Sequence, residues 1–277
     1  MKLAYLCFLL LAPLCSVWSR NVDSAAGISR TASEKKGVGY WSCDGSHHGL
    51  NGSGVRWCYD WGTAPVGQPF AGIEFIPMIW DKSRVTAAEL ALAKKSGRTL
   101  LAFNEPDASN QANMTVGEAL ALWPQLQATG MRLGSPAPTS NGALPGKWLD
   151  AFVQGIRERG LRLDFFCVHY YSARFDDPKA ATAELKDFLT QVYHRYRMPI
   201  WLTEFALSNW KTPATSEEQR SYIKEAVPML EALPFVGRYA WFAFPRFTGD
   251  KNALANSHLI NDAYQLNPSG VAYRDSK

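Results

Sequence analysis

Leu100-Leu101-Ala102-Phe103-Asn104-Glu105-Pro106-Asp107 is the stretch that decides the fold of this chain. Four apolar residues run directly into Asn-Glu-Pro-Asp. A short apolar run between polar segments reads as a parallel strand buried on both faces. Pro106 has no amide hydrogen and ends it. Pro199-Ile200-Trp201-Leu202-Thr203-Glu204-Phe205 repeats the design. Each stretch delivers a glutamate to the C-terminal end of a strand, where parallel α/β proteins gather their chemistry. Two such carboxylates suit the general acid and the nucleophile or base of glycoside cleavage. One glutamate alone reads equally well as a solvated strand end. Two, one of them within Asn-Glu-Pro, point away from that.

The rest of the chain keeps the same rhythm. Short apolar or aromatic runs occur at Val38–Trp41, Arg56–Asp60, Phe75–Trp80, Leu100–Asn104, Arg132–Ser135, Phe165–Tyr170, Ile200–Thr203 and Tyr239–Phe244. Helical patterns lie between most of them. Val85–Ser96 closes at Gly97, and Trp148–Arg159 stops at Gly160. Thr115 and Glu118 form a capping box ahead of Ala119–Ala128, and Ser216 and Gln219 form another opening Glu217–Leu230. Ala181–Arg197 carries an apolar stripe at Leu185, Phe188, Leu189 and Val192. The fold class is α/β, a single (β/α)8 TIM barrel over residues 36–277. Glu105 then follows strand four and Glu204 strand seven, and barrel closure turns them toward each other. Ser42–Val55 is Gly- and His-rich rather than helical, and the tail after Phe247 shows no pattern.

Residues 1–19 read as a secretory signal: Lys2 opens it, Leu3–Val17 is its apolar centre, and Val17-Trp18-Ser19 suits cleavage. Residues 20–35 read as a flexible polar leader. No later run is long enough to span a membrane, so the expected location is secreted, extracellular or cell wall. Lys and Arg number 29 against 25 Asp and Glu, with no basic run to hold nucleic acid. The 10 Trp offer flat faces for sugar rings, although large cores also use them. Beyond the signal, Cys167 lies in an apolar run as a buried free thiol. Cys43 and Cys58 remain as a candidate disulfide or as two further free thiols. Asn51 in its Gly-rich loop, and Asn113, begin glycosylation sequons, Asn51 being the favoured site. Asp44, His47 and His48 match no metal-ligand spacing, and no Gly-x-Ser-x-Gly occurs, so neither metal nor cofactor is expected.

Trp57-Cys58-Tyr59-Asp60-Trp61-Gly62, Phe75-Ile76-Pro77-Met78-Ile79-Trp80, Phe103-Asn104-Glu105-Pro106-Asp107, Val168-His169-Tyr170-Tyr171 and Trp201-Leu202-Thr203-Glu204-Phe205 occur in that order. Together with Lys36-Gly37-Val38-Gly39-Tyr40 and Tyr239-Ala240-Trp241-Phe242, they resemble glycoside hydrolase family 128 along nearly the whole mature chain. The family includes alkali-sensitive-linkage-like cell-wall proteins. The resemblance implies a retaining β-1,3-glucanase acting on β-1,3-glucan, with Glu105 as acid/base, Glu204 as nucleophile and Asn104 on the sugar 2-hydroxyl. Asn104 and Glu105 are consecutive and cannot both face the mouth from a regular strand, which predicts a bulge there. His169 and Tyr171 share a face after strand six, where they orient Glu204 or touch substrate, a satisfied barrel-end histidine being the plainer reading. Tyr40, Trp80 and Trp241, at three strand ends, are candidate sugar platforms or core residues. Trp201 has the opposite parity to Glu204 and is predicted to pack under a helix. Asp60 and Asp107 read as ligands of sugar hydroxyls or as salt-bridge partners. The alternatives are another β-glycanase of the same clan, acting on cellulose or mannan, or a glycan-binding cell-surface protein with little turnover.

Overall fold

The computed structural model describes residues 33–40, 46–66, 72–244 and 253–277. The expected signal, most of the expected leader and Cys43 lie outside these residues. The element order is β1 (Lys36–Gly39), α1 (Ser46–Leu50), β2 (Trp57–Tyr59), β3 (Glu74–Phe75), β4 (Met78–Ile79), α2 (Ala87–Ser96), β5 (Thr99–Asn104) and α3 (Val116–Gln127). It continues with β6 (Arg132–Ala137), α4 (Trp148–Glu158), β7 (Phe166–Ser172), α5 (Pro178–Tyr196), β8 (Ile200–Leu207), α6 (Ser216–Ala232), β9 (Val236–Trp241) and α7 (Pro268–Asp275).

All strand pairs are parallel, in the orders β3-β2-β1-β9-β8-β7 and β4-β5-β6. Hydrogen bonds continue across both seams. β3 and β4 are two halves of the third barrel strand, separated by Ile76 and Pro77, and Pro77 has no amide to pair. The Ile76 amide still donates to Cys58, and the Leu101 amide to the Pro77 carbonyl. At the other seam Gly134 bridges Phe165, with the Ser135 amide donating to Phe165 and the Asp164 amide to Leu133. The chain is thus an eight-stranded α/β barrel of TIM type.

The barrel interior is a plug of its own. Trp57, Tyr59, Ile76, Met78, Leu101, Phe165, Cys167 and Trp201 pack together there, apart from the larger layer between strands and helices. Trp201 stacks on Phe165 with centroids 4.2 Å apart and lies 5.4 Å from Trp57. The guanidinium groups of Arg238 and Arg132 cover its ring at 4.6 and 5.6 Å. Trp201 therefore sits inside the barrel and not under a helix. β8 slips register against β9 between Leu202 and Phe205, so strict alternation fails along it. Interior indoles also explain the glycines of β1. A Cβ on Gly37 would lie 2.3 Å from the Trp57 ring.

Two sequence expectations shift locally. The box that opens α6 is Thr215 with Glu218, one residue earlier than Ser216 with Gln219. Gln219 is instead fully buried, accepting from the Leu207 amide and donating to the Leu207 carbonyl, which ties α6 to β8. The tail holds α7, capped by Asn267 with Pro268 in its first turn. The buried Lys36 ammonium donates to the Tyr273 and Ser276 carbonyls at its C-terminal end. Replacing Trp201 with Ala should empty the plug and cost about 3–5 kcal/mol of stability, read as a lower denaturant midpoint. An unchanged midpoint would show that the interior indole is not structural.

Candidate active site

Two irregular strands place the carboxylates. Phe103 on β5 and Glu105 just past its end take left-handed φ of 28° and 41°, and register against β6 slips between Ala102 and Asn104. The Asn104 amide bonds Trp80 on one side, and the Glu105 amide bonds Ala137 on the other. That is the predicted bulge, and it brings Asn104 and Glu105 to the same cavity. β8 uses the same device. Register slips between Val168 and His169 on β7, pairing His169 with Glu204.

The cavity at the barrel mouth holds about 370 Å³. Glu204 is buried on its floor, its side chain 7% exposed against 14% for Glu105. A buried carboxylate needs donors. Oε1 accepts from the Trp61 indole N–H at 3.0 Å and from the Tyr59 hydroxyl at 3.3 Å. Oε2 accepts from the Tyr171 hydroxyl at 2.6 Å. His169 Nδ1 lies 3.0 Å from Glu105 Oε1 and 3.5 Å from Glu204 Oε2, so one imidazole bridges both glutamates. One oxygen of each glutamate and the imidazole nitrogen fall within 4.8 Å of one another.

The electrostatics follow from burial and proximity. Burial pushes the Glu204 carboxyl above the usual range; His169, Tyr171 and Trp61 work against this, while the Glu105 carboxylate adds to it. Burial alone would lower His169, but the Glu204 and Glu105 carboxylates outweigh it and raise its pKa. Tyr59 and Tyr171 are pushed well up, first by burial and then by the Glu204 charge, so both remain donors. Glu105, His169 and Glu204 are the described side chains that could hold a cation. The lone pairs of Glu204, however, already receive the Trp61 and Tyr171 hydrogens, and share that of Tyr59 with the Thr203 carbonyl, so a cation would have to face these donors. The arrangement fits proton transfer better than metal binding.

Of the residues expected from the sequence, the structure gathers Trp80, Asn104, Glu105, His169, Tyr171 and Glu204. Tyr40 and Trp241 are not among them. Gly37 and Ala240 face the barrel axis, so their neighbours by alternation, Tyr40 and Trp241, face the helix layer. Trp241 is fully buried there, donating to the Ser257 carbonyl, and Tyr40 packs on Phe244. Tyr59, Trp61, Gln111, Trp210 and Phe242 also reach the site or its walls. The spacing of Trp57, Tyr59 and Trp61 is the signal that sequence reading missed, since period two puts all three on one strand face. Trp210 has no such signal. It stands 62% exposed on the loop after β8, its ring centroid 4.8 Å from that of Tyr171 in an edge-on arrangement.

The other expectations resolve individually. Cys58 is a free buried thiol, and its candidate partner Cys43 lies outside the described residues. The Cys58 side chain alternates with Trp57 and Tyr59 and faces the helix layer. Cys167 is a free buried thiol as expected. Asn51 is exposed. Asp107 accepts from the Thr139 amide and hydroxyl and braces a loop. Asp60 accepts from the Gly62 and Val66 amides while lining the cavity. Replacing Tyr171 with Phe removes a donor that favours the ionised Glu204. The Glu204 carboxyl, followed by carbon NMR through a pH titration, should titrate at higher pH. A downward shift would show that the hydroxyl does not serve the carboxylate.

Comparison with known proteins agrees with this architecture. The profile of a family described as glycosyl hydrolase catalytic core matches residues 37–273. A subgroup I endo-β-1,3-glucanase of glycoside hydrolase family 128 from Amycolatopsis mediterranei, solved with laminaritriose and laminaribiose, is 44% identical. It superposes with a TM-score of 0.81 over 88% of this chain and 100% of that one. A subgroup III curdlan-specific exo-β-1,3-glucanase from Blastomyces gilchristii, solved with glucose, is 29% identical, with a TM-score of 0.68 over 89% of this chain and 100% of that one. Alkali-sensitive linkage protein 1 of Schizosaccharomyces pombe is 29% identical over 217 residues, 74% of this chain. The matched region spans 38% of that relative's length.

Proposed function

The chain belongs to glycoside hydrolase family 128 and to the glycosyl hydrolase catalytic core family, and on that premise we propose that it is a retaining, endo-acting β-1,3-glucanase. The observation that carries this is the pair of glutamates whose nearest oxygens lie within 4.8 Å. Inverting pairs stand about 6.5–9.5 Å apart to admit a water, and retaining pairs about 5–5.5 Å. The laminari-oligosaccharides bound by the Amycolatopsis enzyme support β-1,3-glucan as substrate. Greater identity to that endo enzyme than to the exo enzyme supports internal cleavage.

The roles divide by environment. Glu204 is held by three neutral donors and the imidazole, an environment that steadies a charged nucleophile. Glu105 is less buried and meets the His169 imidazole at the cavity, the place for the acid/base that serves the leaving oxygen. In the first step Glu105 protonates the glycosidic oxygen as its bond to the anomeric carbon breaks, and a Glu204 oxygen bonds that carbon. In the second, the Glu105 carboxylate takes a proton from water while the water oxygen displaces Glu204. The N-terminal apolar stretch behind Lys2 supports export, so we place the enzyme outside the cell or in a wall.

The test is incubation of residues 20–277 with linear β-1,3-glucan, mixed-linkage glucan, cellulose and mannan. The parent should release β-1,3-oligosaccharides, and Glu105→Gln and Glu204→Gln should each cut kcat/KM by at least about 10²–10⁴-fold. Cleavage of cellulose or mannan instead would move the substrate assignment, and binding without product would overturn the enzyme reading. Because Glu204 must be ionised and burial raises its pKa, activity should fall with acid at a pH above the ordinary glutamate value. His169→Ala removes a positive neighbour, so that limb should move to still higher pH. Trp210 is an exposed platform beside the pocket, and Trp210→Ala should raise KM for long oligosaccharides about 2- to 10-fold with little change in kcat. An unchanged KM would take Trp210 out of substrate contact.

A further inference from the structure

Asn104 is 4% exposed and lies at the cavity, yet only one end of its amide is bonded. Its Nδ2 donates to Gln111 Oε1 at 3.2 Å, and its Oδ1 has no partner. Among the described residues the other buried side-chain oxygen without a partner is that of Tyr222, a residue of α6 outside the cavity lining. Buried polar atoms are nearly always paired, so an unpaired amide oxygen on a residue that lines a sugar-sized cavity marks a place for a ligand's polar group. Gln111 lies on the loop after β5 and also lines the cavity. The loop is tied independently of that side chain. The Ala112 amide donates to the Asn104 carbonyl, the Met114 amide donates to the Pro106 carbonyl, and Ala112 and Met114 are buried.

We infer that Gln111 is a positioning residue: it clamps the Asn104 amide so that its unpaired oxygen is held for the 2-hydroxyl of the glucosyl unit being cleaved. This rests on the glycosidase reading above. An amide on a single side-chain bond is otherwise free to turn, and a hydroxyl contact that strengthens in the transition state needs its partner already in place. The clamp also bears on specificity. A site that holds an equatorial 2-hydroxyl disfavours sugars that lack it or carry it axially, because the buried amide is then left unpaired. Among the described residues the Gln111 side chain bonds Asn104 and neither glutamate, so its influence passes through Asn104.

The experiment is a double-mutant cycle of Gln111→Leu and Asn104→Ala, read as kcat/KM on an aryl β-laminaribioside and on its 2-deoxy counterpart. On the parent sugar Gln111→Leu should lose about 10- to 100-fold, mostly in kcat. On the 2-deoxy sugar, and in the Asn104→Ala background, it should lose almost nothing. Equal losses on both sugars, or additive losses in the cycle, would overturn the inference and make Gln111 a structural residue. A readout free of activity runs alongside. In nitrogen-labelled protein the Asn104 side-chain NH2 protons should be protected from exchange, and Gln111→Leu should abolish that protection. Unchanged protection contradicts the clamp even if the parent cleaves no glucan, so failure of the inference is distinguishable from failure of the proposed activity. Gln111→Met, which keeps the side chain's length without its hydrogen bond, should match Gln111→Leu; recovery of activity in it would equally contradict the clamp.

Discussion

A carboxylate buried at the mouth of a closed barrel must be solvated by the protein, and Glu204 is solvated by side chains from two other strands. β2 supplies Tyr59, and Trp61 follows two residues beyond its end. β7 supplies Tyr171 and His169. These groups converge only if β2, β7 and β8 hold their places in the ring, so the donor set depends on barrel closure. It also depends on irregularity. Without the register slips on β8, the residue three beyond the interior Trp201 would face the helices. β5 solves the same problem for Glu105 with two left-handed residues. The strain of those conformations falls where the chemistry is placed and is held by amide bonds to the strands on either side.

The lower barrel makes this placement rigid. Aromatic rings fill the axis beneath the site, and glycine on β1 makes room for the Trp57 indole. Arg132 and Arg238 lie over Trp201 in the plug, Arg132 exposed and Arg238 ion-paired with Glu74. Tyr59 belongs to both layers. Its ring packs in the plug, and its hydroxyl reaches the Thr203 carbonyl and Glu204. Packing below and electrostatics above are therefore linked through single residues.

Much of this was legible in the sequence because it follows from period and punctuation. Buried parallel strands, the Thr115 capping box and the bulge at Asn104 each rest on a local rule that the structure obeys. The errors arose where a long-range partner overrode that rule. Gln219 looked like a capping residue but is held by the backbone of Leu207. Trp201 was assigned by parity along a strand whose register slips. Tyr40 and Trp241 were assigned by their place at strand ends, although alternation from Gly37 and Ala240 turns them outward. Gln111 and Trp210 sit on loops, where no periodicity indicates which side chains return to the site.

The most direct measurement is to trap the intermediate. The mature chain would be treated with a 2-deoxy-2-fluoro-β-laminaribiosyl fluoride, digested, and its peptides weighed by mass spectrometry. A covalent glycosyl adduct on the peptide carrying Glu204, absent in Glu204→Gln, is the expected result. Turnover of β-1,3-glucan with no adduct, or an adduct on Glu105, would contradict the assignment of Glu204 as the nucleophile of a retaining pair.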